Sequence, residues 1–403
     1  MTLQGKTIIL GVTGGIAAYK SAFLIRLLRQ TGAKVYVVLT EEGEKFIGKA
    51  TFQALSGHPV WLSNDHYPAA GGMGHIDLAR SADMILVAPC TANTLAKIAH
   101  GFADNLLTEL ILAREIPLVL APAMNQAMWA SPATQNNVAL LKSQGVIIYG
   151  PEVGIQACGE EGSGRLLEPV ILVELLQALG APAILKGKKV LITLGGTEEA
   201  LDPVRSLRNR SSGRMGVALA RACRDAGAKV TVVYGLISVD LPYGVDAIKA
   251  ESAEAMYNAV HAHLQDKDIF ISVAAVADYR PKKIEREKIK RHEKGELLLE
   301  LVPNPDILAS VAKLKNAPFC VGFAAESKNI VEYGQSKRHR KGVPLLIANN
   351  VRENMDTEKG SVYIISSKGI EETHCQDKYV IAERIVEVIA DLMNLSLIHI
   401  SEP

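Results

Sequence analysis

The chain has 403 residues, too many for one ordinary domain, so two domains with separate cores are expected. Apolar residues at 48% and charged residues at 22% exclude a disordered or low-complexity chain, and a formal net charge of +1 excludes a global electrostatic pull toward nucleic acid or membrane. Five cysteines (Cys90, Cys158, Cys223, Cys320 and Cys375), odd in number and never spaced C-x-x-C, argue against a disulfide framework or a zinc site and for a reducing compartment.

The opening MTLQGKTIILGV has no basic stretch followed by a long apolar one, and no apolar run approaches the roughly 18 residues that span a bilayer, so a cytoplasmic protein is expected. Residues 6–10 read as a strand, 11–15 as a glycine turn, 16–30 as a helix and 34–39 as a strand, which together make a βαβ unit. Ala18, Ala22, Ile25 and Leu28 recur at helical spacing, while VYVVL is the continuous apolar run of a strand covered on both faces. Further buried strands are expected over 84–88 and 117–121. Near Lys186 the pattern restarts: GKKVLITLGG repeats the form of GKTIILGVTGG, and GAKVTVVYG that of GAKVYVVLT. The segment ALGAPAILKG at 178–187 lacks periodicity and marks the boundary between domains at 1–182 and 186–394. The second domain has a helix over 215–225, strands near 268–273, 319–323, 345–348 and 362–366, and a last helix over 378–393. The tail LSLIHISEP at 395–403 adds no element and is read as foreign to the fold.

In open parallel sheets ligands collect beyond the carboxyl ends of strands, where helix amino ends offer N–H groups. The loop GVTGG at 11–15 suits a phosphate, although a tight turn also needs glycine and the loop is not G-x-G-x-x-G. NAD is one possible occupant; the next strand ends VVLTEE, with Thr40 before Glu41 and Glu42, which equally serves an FMN phosphate. APCTANTLAK at 88–97 and APAMNQAMW at 121–129 put small and amide side chains at the same crevice, where Asn125 either grips a carboxylate or caps a helix. His75 in GHIDLAR is either a structural histidine near a helix start or part of this site. QACGEEGSGRLLEP at 156–169 reads as a glycine-rich flap carrying the Cys158 thiol, able to act as an acid, rather than as core.

GVTGGIAAYK, GHIDLA, APCTAN, APAMN and ACGEEGSGRL, in order across roughly 180 residues, resemble the flavin-containing cysteine decarboxylases, specifically phosphopantothenoylcysteine decarboxylase. The resemblance implies that Gly14, Gly15, Thr40, Thr91, Asn93 and Met124 hold FMN, that His75 is the catalytic base or orienter, that Asn125 binds the substrate carboxylate and that Cys158 protonates. The implied chemistry oxidises the cysteine side chain to a thioaldehyde, loses carbon dioxide and returns hydride and proton, giving 4'-phosphopantetheine.

The second half carries GGTEEALDPVRSLRNRSSGRMG at 195–216, AAVADYRPKK at 274–283 and NPDIL at 304–308. Arg205, Arg208, Asn209, Arg210, Ser211, Ser212 and Arg214 form a dense set of phosphate donors, with a solvated loop as the alternative. Eight basic residues face three acidic ones over 280–294, and KRHRK follows at 337–341; no interleaved aromatic residues stack bases, so a triphosphate explains these runs better than nucleic acid. This half resembles phosphopantothenate-cysteine ligase, the usual fusion partner of the decarboxylase. By that resemblance a carboxylate is activated as an acyl-cytidylate that Asn209 stabilises, and Lys288 serves cysteine attack. Ala274, Asp278, Phe323, Lys337 and Lys341, with Asn304, Pro305, Asp306 and Ile307, contact CTP; Arg205 sits by the same pocket, and a divalent cation such as Mg2+ neutralises the phosphates. Ala200 stands where the ligases have proline and Pro303 where they have lysine, while Cys90 and Leu166 replace the alanine and methionine common in the decarboxylases.

The expected fold is therefore two three-layer α/β/α domains: an N-terminal flavoprotein domain, flavodoxin- or Rossmann-like, and a C-terminal Rossmann-like ligase domain. The resemblance implies an enzyme of coenzyme A synthesis acting on 4'-phosphopantothenate, L-cysteine and CTP, without nucleic acid or membrane. It also implies a homo-oligomer with trimeric flavin-domain and dimeric ligase-domain contacts. A decarboxylase of peptide cysteines, a prenylator of FMN, a catalytically dead flavin-binding subunit and a dinucleotide-dependent reductase are the competing readings; the ligase half, the intact His75, Asn125 and Cys158, and the missing glycine fingerprint weigh against them.

Overall fold

The computed structural model describes residues 3–62, 80–290, 297–350, 357 and 359–394. The chain divides into two compact units, 1–180 and 181–403. In the first, strands β1 (Thr7–Val12), β2 (Lys34–Leu39), β3 (Val60–Leu62), β4 (Met84–Cys90), β5 (Leu118–Pro122) and β6 (Ile147–Ile148) form a sheet in the order β3-β2-β1-β4-β5-β6. Every neighbouring pair is parallel. That is the Rossmann order, not the flavodoxin one, with its reversal point between β1 and β4. Ile9, Ile85, Val87 and Leu120 pack with Leu95, Leu107, Leu110 and Leu141 of the helices Ala92–Ala99, Leu106–Leu112 and Pro132–Ser143. The helix Ala18–Gln30, which packs against Lys49–Ser56 and Pro169–Ala178, belongs to crossovers of the opposite direction and so covers the other face. Outside the sheet, β7 (Glu152–Ile155) and β8 (Glu161–Arg165) form an antiparallel hairpin.

The second unit repeats this topology. In chain order it contains β9 (Lys189–Leu194), the hairpin β10 (Glu198–Ala200) and β11 (Ser206–Arg208), β12 (Lys229–Tyr234), β13 (Asp246–Lys249) and β14 (Ile269–Ser272). It continues with the antiparallel pair β15 (Tyr279–Pro281) and β16 (Leu301–Pro303), then β17 (Phe319–Glu326), β18 (Leu345–Asn350), β19 (Lys359–Gly360), β20 (Val362–Ser366), β21 (Gly369–Glu372) and β22 (Gln376–Asp377). The main sheet runs β13-β12-β9-β14-β17-β18-β20-β21, parallel through β18 and antiparallel beyond it. Successive residues alternate between two cores. Ile192, Val232 and Ile271 meet the helices Arg214–Asp225 and Lys378–Leu392, while Leu191, Val233 and Phe270 meet Ala253–His263 and Ile307–Ala312. The Arg221 guanidinium lies 4.2 Å from the centroid of the Tyr379 ring, whose hydroxyl donates to Asp225 at 2.7 Å, joining the first and last helices of the unit.

Most of the expected strands appear with shifted ends. β1 runs on to Val12, so the turn moves to residues 13–17 and the helix begins at Ala18; β4 and β17 extend to Cys90 and Glu326. Each extension stays paired with a parallel neighbour, Val12 with Leu39, Cys90 with Pro122 and Glu326 with Asn350. The hairpins β7–β8, β10–β11 and β15–β16 were not expected, because segments such as EGSGR and SLR carry no apolar alternation.

Gly216, in the first turn of Arg214–Asp225, has room for no side chain: a Cβ would lie 2.3 Å from the Cβ of Leu194 on the central strand. Overpacking of this kind costs about 1–3 kcal/mol, which exceeds the ~1 kcal/mol of helix propensity that alanine gains over glycine. Gly216→Ala is therefore expected to lower the urea midpoint of this unit's transition, followed by circular dichroism.

Candidate functional site

In the first unit the carboxyl ends of β1, β2, β4 and β5 open on a cavity of about 970 Å³. Its floor is built by hydroxyls. The buried Thr13 hydroxyl donates to the Pro89 carbonyl at 2.7 Å and accepts from Thr91 N–H at 3.1 Å, tying the end of β1 to that of β4. Thr40 caps Glu41–Glu44 by accepting from Gly43 N–H and donates to the Val12 carbonyl; Thr91 caps Ala92–Ala99 by accepting from Thr94 N–H. Gly14 is required by a close approach, since a Cβ there would lie 2.4 Å from the Cβ of Glu42 and 2.9 Å from its carbonyl carbon. Gly15 differs: nothing lies within 4 Å of where its Cβ would stand, and the residue lines the cavity. The next helix begins at Ala18 with no side-chain cap at Ala17; the N–H groups of Ala18 and Lys20 turn back to the carbonyls of Gly15 and Ala17, so the helix contributes its positive dipole end beside Gly15, Ile16 and Ala17, which line the cavity. These features fit a phosphate-bearing planar group. Gly14, Gly15, Thr40, Thr91, Asn93, Met124, Asn125 and Cys158 all line the cavity; His75 lies outside the described residues.

The β7–β8 hairpin forms the lip. Gly164 packs so close to the Met124 carbonyl that a Cβ would stand 2.2 Å from it, and Met124 N–H donates to the Gly164 carbonyl at 2.9 Å, which fixes the hairpin beside β5. Asn125 caps a helix, and its amide nitrogen is left to reach the hairpin. Its Oδ1 accepts from Ala127 N–H at 2.8 Å, capping Gln126–Ala130, while Nδ2 donates to Glu160 at 2.7 Å and lies 3.4 Å from Gln156 Oε1 and 3.7 Å from Cys158 Sγ. Gln156 Oε1 also accepts from Gln126 N–H and, at 3.9 Å, from the exposed Cys158 thiol. Gln156 and Glu160 were missed as site residues, although both flank the cysteine in the QACGEE segment. Cys90 is fully buried at the end of β4, and burial pushes its thiol well above the ordinary range. Behind the lip, Lys20 donates to Glu168 at 2.7 Å and to the Leu166 carbonyl at 3.2 Å. On the far wall Lys97 holds the Asp104 carboxyl below the usual carboxylate range through a direct hydrogen bond.

In the second unit a cavity of about 360 Å³ lies at the carboxyl ends of β9, β14, β17 and β18. Asn209, Ala274, Asp278, Phe323 and Lys337 line it, joined by Ser211, Ser212 and Arg214. Asn209 follows β11 directly, and its Nδ2 donates to the Val276 carbonyl at 3.1 Å. Lys337 donates to the Phe323 carbonyl at 2.9 Å. Asn304 stands beside Asp278, donating its N–H to the Asp278 carbonyl and its Nδ2 to that of Ala277. Asp306 caps Ile307–Ala312 and pairs with Lys341, so Asn304, Pro305, Asp306, Ile307 and Lys341 form a neighbouring group outside the cavity lining. Arg205 and Lys288 do not line the cavity either. The Arg205 guanidinium is taken up by Asp202 and the Ile289 carbonyl, and Lys288 is exposed on the adjoining loop. Part of the basic run at 280–290 is paired internally, Lys282 with Glu300 and Lys283 with Glu285. Pro303 adds no cation at its position; its carbonyl accepts from Arg280. Among the described residues no group of three His, Cys, Asp or Glu side chains is placed to hold a metal ion, and no helix is long and apolar enough to cross a membrane.

Two family models match the chain: Flavoprotein over residues 1–180, and DNA/pantothenate metabolism flavoprotein C-terminal domain over residues 185–393. The Coenzyme A biosynthesis bifunctional protein CoaBC of Vibrio vulnificus (strain CMCP6) is 46% identical over 397 residues, 97% of this chain and 99% of the relative. The protein of the same name from Escherichia coli (strain K12) is 46% identical over 357 residues, 88% of each. A crystal structure of the C-terminal domain of a Coenzyme A biosynthesis bifunctional protein CoaBC matches 53% of this chain and 100% of its own at 33% identity, with a TM-score of 0.46.

Burial lowers the pKa of Lys337 below the ordinary lysine value, and Arg340 adds to this, against the opposing pull of Glu326 and Asp278. An anion that recruits the charged ammonium is therefore held less tightly as pH rises through that lowered value. Inorganic pyrophosphate affinity measured by calorimetry should fall at a lower pH than an exposed lysine would give, and Lys337→Met should remove that part of the pH dependence.

Proposed function

The chain belongs to the bifunctional coenzyme A biosynthesis family, and on that premise we propose a division of labour between its two crevices. It is an enzyme that pairs a flavoprotein decarboxylase half with a ligase half. The ligase half, residues 186–394 in this reading, uses CTP and Mg2+ to activate 4'-phosphopantothenate as an acyl-cytidylate and joins it to L-cysteine. The decarboxylase half, residues 1–182, converts the resulting 4'-phosphopantothenoylcysteine to 4'-phosphopantetheine with FMN. The reading includes a cytoplasmic location and a homo-oligomer.

One observation supports the decarboxylase reading most directly: the Asn125 amide and the Cys158 thiol lie 3.7 Å apart at the lip of a cavity large enough for a flavin and its substrate. FMN, when bound, supplies hydride transfer. The protein supplies the rest. The Gly14–Gly15 loop, beside the positive dipole end of the helix after it, receives the phosphate, and Thr40, Thr91, Asn93 and Met124 shape the bed for the ring system. Asn125 Nδ2 exchanges the Glu160 carboxylate for that of the substrate, Cys158 delivers a proton, and His75 serves as base or orienter. The hairpin keeps water from the reacting carbon.

In the ligase half, Lys337, Phe323, Ala274, Asp278 and the group at 304–307 with Lys341 hold CTP, and Asn209 stabilises the acyl-cytidylate from its place on the Val276 carbonyl. Lys288 assists cysteine attack. Arg205 enters through the loop that carries Lys288 and not through the cavity lining.

The test is an anaerobic product assay by mass spectrometry, with protein, 4'-phosphopantothenate, cysteine and Mg2+, and either CTP or ATP. Formation of 4'-phosphopantetheine with CMP and pyrophosphate is expected. Accumulation of 4'-phosphopantothenoylcysteine alone would retire the decarboxylase reading, and absence of pyrophosphate with either nucleotide would retire the ligase reading. A Cβ at Gly15 has no neighbouring heavy atom within 4 Å and the residue lines the cavity, so Gly15→Val should keep its melting temperature, lose flavin absorbance and stop at the amide product.

A further inference from the structure

The β7–β8 hairpin, which carries Cys158, re-enters the fold through residues 165–168, where three charged side chains meet. Lys20, the third residue of the helix Ala18–Gln30, is 11% exposed at its side chain. It donates to Glu168 Oε1 at 2.7 Å and to the carbonyl of Leu166, 146 positions further along the chain, at 3.2 Å. An ammonium so enclosed needs partners of this kind. Glu168 precedes the helix Pro169–Ala178 but does not cap it with its carboxylate; Oε1 accepts instead from Lys20 and, at 3.2 Å, from Arg165. Arg165 ends β8 opposite Glu152 of β7, and its guanidinium lies 3.9 Å from Glu152 Oε2, an oxygen sealed from solvent. The arginine side chain lies across β7, since a Cβ at Gly154 would stand 2.6 Å from Arg165 Nη1. A run of alternating charges thus joins the helix beside the Gly14–Gly15 loop to both strands of the hairpin. The hairpin's other ties are weaker constraints. Met124 holds it at Gly164, and one point of attachment leaves a pivot. At the tip Asn125 Nδ2 holds Glu160, a contact given up when the amide takes a substrate carboxylate. The tip is therefore tied least firmly at the moment its thiol has to be placed.

We propose that Lys20 is a positioning residue of the decarboxylase half: by holding Glu168 and the Leu166 carbonyl it fixes the returning stem of the hairpin, and through the stem the place of the Cys158 thiol. The proposal rests on the decarboxylase reading, in which Cys158 delivers a proton. Once carbon dioxide has left, the remaining ene-thiol takes a hydride from the reduced flavin at one carbon of its double bond and the Cys158 proton at the other. The saturated thiol results, and solvent reprotonates the Cys158 thiolate. Lys20 bears on this last step and not on the loss of carbon dioxide, which does not use the thiol.

The test is an anaerobic single turnover of the full-length, FMN-loaded protein with 4'-phosphopantothenoylcysteine, read by flavin absorbance and mass spectrometry, beside limited trypsin digestion without substrate. Lys20→Met removes the donors and keeps most of the side chain's length. The variant should hold FMN and bleach it at the unaltered rate, but recover flavin absorbance about 100-fold more slowly, the scale of an ångström-level misplacement. It should release the ene-thiol, lighter than 4'-phosphopantetheine by a hydride and a proton. Trypsin should cut after Arg165 sooner than in the unaltered protein, because Leu166 and Leu167 are buried while the stem is docked. Lys20→Arg, which keeps a charged donor, should restore most of the recovery. A Lys20→Met protein that lacks flavin, that bleaches and recovers with equal losses, or that is cut no faster overturns the proposal. Faster cutting with normal recovery overturns it as well, since the anchor then does not place the thiol. Cys158→Ser separates the proposal from the reading beneath it. If that variant forms the saturated product at the unaltered rate, the role of Cys158 fails and the anchor's purpose with it; if it stops at the ene-thiol and Lys20→Met does not, the anchor alone fails. Should Lys20→Met not fold, Glu168→Ala tests the same split, because it removes the carboxylate that both Lys20 and Arg165 use.

Discussion

Both units depend on one topological constraint: a parallel sheet whose strand order reverses at its middle, between β1 and β4 in the first unit and between β9 and β14 in the second. Right-handed crossovers on either side of such a point leave in opposite directions, so no connection covers the carboxyl ends of those two strands. Ligand-facing residues must then come from the few positions just after each strand. In the first unit these are Gly14 and Gly15 after β1, Thr40 after β2, Thr91 after β4 and Asn125 after β5; in the second, Gly195 after β9, Ala274 after β14 and Asn349 at the end of β18.

The sheets set positions, while short hairpins outside them bring the reactive groups. An isolated two-stranded hairpin is marginal in water, and each of these is held by specific polar contacts. The β7–β8 hairpin is fixed through Gly164 to Met124 and carries Cys158 at its tip. The β10–β11 hairpin is closed by the buried Asp202 and ends at Asn209. The β15–β16 pair, beginning one residue after Asp278, is tied to Asn304 through Arg280. A group that must act on a substrate gains from this arrangement, because a few hydrogen bonds, and not a packed core, set its position.

The difference between sheet and hairpin also explains what could be read from the residues. KVYVVL, KVLITL and VYIIS are legible as strands because burial on both faces demands continuous apolar side chains, and the repeated GK- and GAK-type openings show two similar units. Four of the segments that converge on the first cavity, GVTGG, LTEE, APCTAN and APAMN, follow expected strands, so their meeting was foreseeable. Gln156, Glu160 and Asp202 were not legible. Polar residues in glycine-rich or charged loops look like solvated ones, and only the fold shows that Asp202 is enclosed and meets Ile289, 87 positions away. The same limit applies to Arg205. Its density of neighbouring cations suggested a phosphate site, whereas a single buried carboxylate determines where its guanidinium goes.

The opposition between a capping residue and a ligand residue also dissolves in this topology. A strand's carboxyl end feeds the amino end of the next helix, so the residue that caps the helix stands at the rim of the crevice, as Thr40, Thr91 and Asn125 do. What distinguishes them is how many polar atoms the cap uses. Each threonine has one oxygen, which accepts from the helix and donates within the protein, Thr40 to the Val12 carbonyl and Thr91 to the Thr94 hydroxyl. Their contribution to a ligand is therefore the placement of backbone N–H groups. Asparagine separates the functions: Oδ1 caps while Nδ2 reaches across to the hairpin. Serine or threonine would cap as well but would have no second polar atom, and aspartate would present a second anion to Glu160. Asparagine is thus the residue that both ends a strand-to-helix turn and offers a donor to a carboxylate.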